Sequence, residues 1–140
     1  MVHVTRGNNY GRHGDEVPAV YMWPNSRKIQ ITTSLNDKVQ YHWNSVYDLP
    51  ADKFTRVNIK QKWDAKEFKY FYTITIDNTV ALHVENNNPQ LFDDVKVLHG
   101  DLWYEPAKAF IKNLKVTTSS ENGDYSLFSF FQCSSSCLLL

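Results

Sequence analysis

The 140-residue sequence predicts an all-β fold, a two-sheet antiparallel β-sandwich. The first observation behind that expectation is alternation. In residues 54–63, Val57, Ile59 and Trp63 share one parity, against Arg56, Asn58, Lys60 and Lys62 on the other. Successive strand side chains point to opposite faces, so one face is buried and one is wet. Residues 68–77 repeat the pattern, with Phe68, Tyr70, Tyr72, Ile74 and Ile76 against Lys69, Thr73, Thr75 and Asp77. The second observation is composition. Aromatic residues make up 14% of the chain, and such side chains favour half-buried pleated surfaces. The third is punctuation, because turn residues recur at short, regular intervals.

Strands are expected at residues 2–5, 19–23, 28–33, 39–43, 54–63, 68–77, 79–85, 95–99 and 109–117. A Gly- and Asn-rich loop spans 7–15. Pro24-Asn25-Ser26 and Asn36-Asp37 form tight turns, and Asp64 to Glu67 make a polar reversal. Asp77-Asn78 is a two-residue hairpin signal. Longer connections run through 48–52 and 86–89. A helical turn fits at most at 50–53 or 89–93, and no repeat, linker or second domain is visible. The sandwich therefore takes residues 1–118.

Residues 119–140 break the alternation and read as an irregular C-terminal tail holding both cysteines, Cys133 and Cys137. A disulfide between them closes a short loop, and incidental thiols are the plainer reading. Cys137 stands fourth from the end with a terminal Leu, but no polybasic segment precedes it and prenylation is discounted.

Lys plus Arg and Asp plus Glu each total 15, giving a formal net charge of zero. Such a chain has no overall basic field for a phosphate backbone, which argues against nucleic acid as partner. No apolar run reaches the roughly 20 residues that span a bilayer, so membrane insertion is not expected. The opening MVHVTRGNNYG has no apolar leader and begins inside a strand. We therefore expect a fragment, lacking a signal peptide and its first strand.

The string VKVLHGDLWYEPAKAFIKNLKV at 95–116 resembles the closing strands of a laminin-G-like, concanavalin A-like jelly roll. The segment 20–43 and the Ile-Asp-Asn hairpin at 76–78 share the likeness. So does the order that follows: Asn88-Pro89, a Val-rich strand, Gly100-Asp101 with Trp103-Tyr104 and Pro106, then Ile111 to Leu114. The likeness covers residues 2–118 and is nearest to extracellular modules of invertebrate animals. It implies two facing antiparallel sheets in an extracellular, secreted protein. It implies non-catalytic binding of glycan, matrix or another extracellular protein. The alternative is a structural adhesion module with no small ligand.

Candidate ligand-binding residues gather on one expected rim: His99, Asp101, Trp103 and Tyr104, with Asn87 and Asn88 nearby. Sugar rings have apolar faces that stack on Trp or Tyr, while Asp, Asn or His hold hydroxyls. The plainer reading is that Trp103 plugs the end of the sandwich and Tyr104 caps it. A galectin requires His-x-Asn-Pro-Arg. Here His83 is followed by Val84-Glu85-Asn86 and Asn88-Pro89 by Gln90, so the Arg is absent.

Laminin-G-like domains often hold calcium on a sheet rim, which makes Asp101 and Asp94 candidate ligands, with Asp15, Glu16, Asp48, Asp52 and Asp93 as further oxygens. No DxDxDG loop draws them together, and solvated rim carboxylates are the simpler account. No enzyme is expected: no paired-acid ExDxxE string, Gly-x-Ser-x-Gly elbow, P-loop or His-Glu-x-x-His occurs. The five His are scattered singly and read as solvent-facing strand residues. Arg12, His13, Asp15 and Glu16 sit on a Gly-flanked loop that can approach a ligand, or simply connects two strands. Arg56, Lys60, Lys62, Lys66 and Lys69 lie on wet faces, where they either dock sulfated glycans, as the resemblance implies, or protect sheet edges.

Overall fold

Among the described residues, ten strands stack as two five-stranded antiparallel sheets. The structure, a computed structural model, describes residues 2–7, 11–90, 92, 94–100, 109–118 and 125–133. The strands are β1 (Val2–Thr5), β2 (Ala19–Met22), β3 (Ile29–Leu35), β4 (Lys38–Asn44) and β5 (Thr55–Asp64). They continue as β6 (Lys69–Ile76), β7 (Thr79–Glu85), β8 (Lys96–His99), β9 (Ala109–Thr118) and β10 (Tyr125–Cys133). The first sheet runs β4-β3-β2-β1-β8 and the second β7-β6-β5-β10-β9. No helix occurs among the described residues.

Alternation sets which side chains meet between the sheets. Val57, Ile59, Tyr72 and Ile74 of the second sheet are wholly buried against Val2, Val20, Ile29 and Ile31 of the first. Each such aliphatic side chain contributes roughly 1.5–3 kcal/mol by leaving water. Leu49, on the β4–β5 connection, closes one end of this core. The Arg27 carbonyl accepts from the Leu49 backbone N–H at 3.0 Å and holds it there. At the β6–β7 turn, Asp77 and Asn78 both have positive φ (45° and 72°) between the paired Ile76 and Thr79. This is the left-handed two-residue turn that suits strand twist.

Three features depart from the sequence reading. Residues 119–140 are not irregular throughout, because β10 inserts between β5 and β9 and pairs with both. Its register slips between Phe128 and Phe130, and a bulge scrambles the period of two that a strand otherwise shows. Phe68 is not the first residue of a strand. It sits in the β5–β6 turn with φ 54° and is 76% exposed. His3 is not a solvent-facing residue either, since β1 is buried on both faces. The other four His are exposed as expected.

Candidate functional site

The end of the sandwich that carries the β3–β4 turn also carries the β7 exit and the tip of the β5–β6 hairpin. Hydrogen bonds establish the adjacency. Asn86 is buried; its backbone N–H donates to the Tyr70 carbonyl at 2.8 Å, and its side-chain amide donates to Gln61 Oε1 at 2.5 Å. Asn86 Oδ1 accepts from the backbone N–H groups of Asn36 at 3.1 Å and Asn88 at 3.2 Å. The Asn87 N–H donates to Asn36 Oδ1 at 2.6 Å, and Asn88 Nδ2 reaches Asp37 Oδ1 at 3.4 Å. An isolated Asn-Asn-Asn string would be an ordinary turn. Here it is a seam that ties the first sheet to the second.

The seam borders a narrow cleft lined by His13, Asn36, Gln61, Asn88, Gln90 and Phe92. The cleft holds about 10 Å³, the room of a single water molecule. A sugar ring does not enter it, so any ligand here lies over the surface. Gly14 shapes one wall. It has φ 91°, and a Cβ at this position meets the Phe92 ring at 2.9 Å. The glycine in this loop therefore makes way for Phe92.

Beyond the seam the hairpin tip presents aromatic rings and charges together. Trp63 packs on Tyr70 at 5.0 Å between centroids, and Phe68 meets Trp63 edge-on at 6.4 Å. The backbone N–H groups of Lys66 and Glu67 donate to Asp64 Oδ1 at 2.8 and 3.2 Å. Those two bonds hold the Asp64 carboxyl below its usual range. Lys69 donates to Glu85 Oε2 at 2.7 Å. That hydrogen bond, aided by the Glu85 charge, raises the Lys69 ammonium above its usual range.

The predicted rim residues are distributed as follows. Asn87 and Asn88 lie on the seam, exposed. His99 ends β8 opposite Val2, in the row of Val20 and Ile31. That row lies five residues and three strands from Asn36, a separation of roughly 20 Å at ordinary strand dimensions. The structure therefore does not bring His99 to Asn87 and Asn88. Asp101, Trp103 and Tyr104 lie outside the described residues, as does Asp93.

Of the candidate calcium ligands, Asp94 is exposed with φ 57° on the approach to β8. Asp15 and Glu16 face inward and are committed elsewhere. Asp15 Oδ2 accepts from the Arg12 N–H at 2.9 Å and its carbonyl bonds His3 Nε2 at 2.5 Å. Glu16 accepts from the Tyr21 hydroxyl at 2.6 Å and from Gln40 Nε2 at 2.7 Å. Asp48 lies 3.6 Å from Arg27. Among the described residues no three His, Cys, Asp or Glu side chains gather to hold a metal ion.

A second surface feature spans the outer face of the second sheet. Arg56, Lys60 and Lys62 on β5, Lys69 on β6 and Lys112 and Lys115 on β9 are all exposed. Glu85 partners one of them, and the Lys112 ammonium sits 3.9 Å from the centroid of the Phe54 ring. The neutral chain therefore has segregated charge.

No protein-family model, curated protein or solved structure matches this chain.

Proposed function

We propose that this β-sandwich is a non-catalytic recognition module for carbohydrate, laminin-G-like in kind and working outside the cell. The observation that supports the reading is the seam at one end. There Asn87 and Asn88 are exposed beside Asp37, the Lys69–Glu85 pair and the aromatic tip. Amide and carboxylate groups on a braced backbone are the donors and acceptors that sugar hydroxyls pair with. Ring faces match the apolar side of a pyranose. The bracing limits the ordering that binding demands. A glycan array probed with and without a calcium chelator tests the proposal. Hits lost in an Asn87→Ala/Asn88→Ala double variant, or in Trp103→Ala, support it. Silence on every glycan overturns it in favour of contact between proteins.

The basic outer face of β5, β6 and β9 favours a second reading within the same matrix setting. An acidic extracellular polymer or protein would be attracted to it, and that attraction weakens as salt screens it. Retention on an anionic matrix that disappears near 1 M salt, where the screening length is about 3 Å, checks it.

A further inference from the structure

The turn between β5 and β6 keeps a residue that local backbone chemistry disfavours. Phe68 has φ 54°, a conformation that crowds any bulky side chain. Every other described residue with positive φ is Asn, Asp or Gly. Those are the types that enter this region at little cost. Folding alone therefore does not select Phe at this position. Burial does not select it either, since Phe68 is 76% exposed and its ring meets Trp63 edge-on. A bulky residue held in a disfavoured, exposed backbone position is an outlier from which a functional hypothesis follows.

We propose that Phe68, backed by Trp63 and Tyr70, is the stacking plate for a pyranose ring. This inference rests on the carbohydrate reading above and names the residues that carry it. The layout selects the ligand class. Phe68 meets Trp63 edge-on and Trp63 packs on Tyr70, so Phe68 ends a run of three rings. Charged side chains precede it in the same turn, the exposed Lys66 and Glu67, while Lys69, bonded to Glu85, faces the outer side of the sheet. The amides of Asn87 and Asn88 follow directly from Asn86, which is bonded to Tyr70. A sugar ring offers C–H groups to the plate and hydroxyls to its border. The Asp64 carboxylate accepts two backbone N–H bonds inside the turn, so the plate is presented on a fixed loop.

The test compares wild type, Phe68→Gly, Phe68→Trp and Phe110→Ala on one array of neutral and sulfated oligosaccharides, with a thermal melt of each. Phe68→Gly relieves the backbone and is expected to melt at or above the wild-type temperature. It is expected to lose signal on the order of tenfold, the scale of one aromatic contact. Phe68→Trp keeps a plate and keeps the signal. Phe110→Ala removes another exposed Phe, from β9, and binds as wild type. Wild-type hits that survive Phe68→Gly overturn this inference and leave the carbohydrate reading standing. A silent Phe68→Trp, or a Phe68→Gly that melts several degrees lower, marks Phe68 as structural and also overturns it. Silence of the wild type on every glycan overturns the inference and the carbohydrate reading together.

Discussion

Asn86 donates its side-chain amide to Gln61 Oε1, and both residues are buried at the meeting of the two sheets. The same Asn86 uses Oδ1 to satisfy two backbone N–H groups, those of Asn36 and Asn88. One side chain thus serves three elements: β5, the β3–β4 turn and the β7 exit. Asn86→Ala leaves Gln61 Oε1 and two N–H groups without that partner. Removing a partner from a buried group such as Gln61 Oε1 costs about 1–3 kcal/mol and the two N–H groups nearer the surface add less, so a total loss of roughly 2–4 kcal/mol is expected. Urea unfolding of the variant measures it. A loss under about 0.5 kcal/mol, the range of an ordinary surface change, shows that the seam is not structural.

Glu16 provides a second structural test. The residue is 2% exposed and its carboxyl group is bonded by Tyr21 and Gln40, which brings β2 and β4 to one buried acidic side chain. Tyr21→Phe keeps the ring and removes the donor. Hydrogen bonds to charged groups are worth roughly 1.5–3 kcal/mol, and the loss here is expected in that range. A Glu16→Gln variant separates charge from hydrogen bonding. If Tyr21→Phe costs as much on the Glu16→Gln background as in the wild type, the carboxylate charge contributes nothing to this contact.

The pH response follows from two groups at the hairpin tip. Asp64 is held below its ordinary range by the Lys66 and Glu67 N–H bonds. A lowered carboxyl contributes stability above its unfolded pKa, and loses it as pH falls through the folded value. The tip therefore loosens in acid, below the usual aspartate range. Lys69 is raised, first by its hydrogen bond to Glu85. A raised ammonium contributes stability below its unfolded pKa and loses it as pH rises through the folded value. Its loosening comes in strong alkali, above the usual lysine range. NMR titration of the Asp64 carboxyl and the Lys69 ammonium reads both midpoints. An Asp64 midpoint at or above that of a solvated aspartate contradicts the first claim.

The second sheet is more legible in the sequence than the first. Val57, Ile59 and Ile74 declare their face because polar residues flank them. The Asp77-Asn78 turn is legible because few residue types accept two consecutive positive φ values. His3 and Glu16 read in sequence as solvent or rim groups, yet both lie in the interior. Polarity in a sequence does not reveal that another polar group will meet it there. The seam is half legible. Asn87 and Asn88 mark a turn, but their link to Asn36 and Asp37 spans about fifty positions and leaves no local trace. Phe68 follows the parity of its neighbours in sequence, and the turn at its position overrides that parity.

The last expectation concerns β10, which alternation does not reveal. Tyr125 to Phe131 pair with β5, and the same strand pairs with β9 on its other side. A chain ending at Thr118 loses both ladders at once. It leaves the backbone of β5, in the middle of the sheet, open along its length beside Val57 and Ile59 of the core. It also detaches β9, whose Ile111, Leu114 and Val116 pack on that core. An open strand edge beside uncovered core side chains recruits other chains. The truncated protein is therefore expected to aggregate or to elute well beyond monomer size in gel filtration. A soluble, cooperatively melting monomer ending at Thr118, with the wild-type melting temperature, would show that β10 is dispensable to the sandwich.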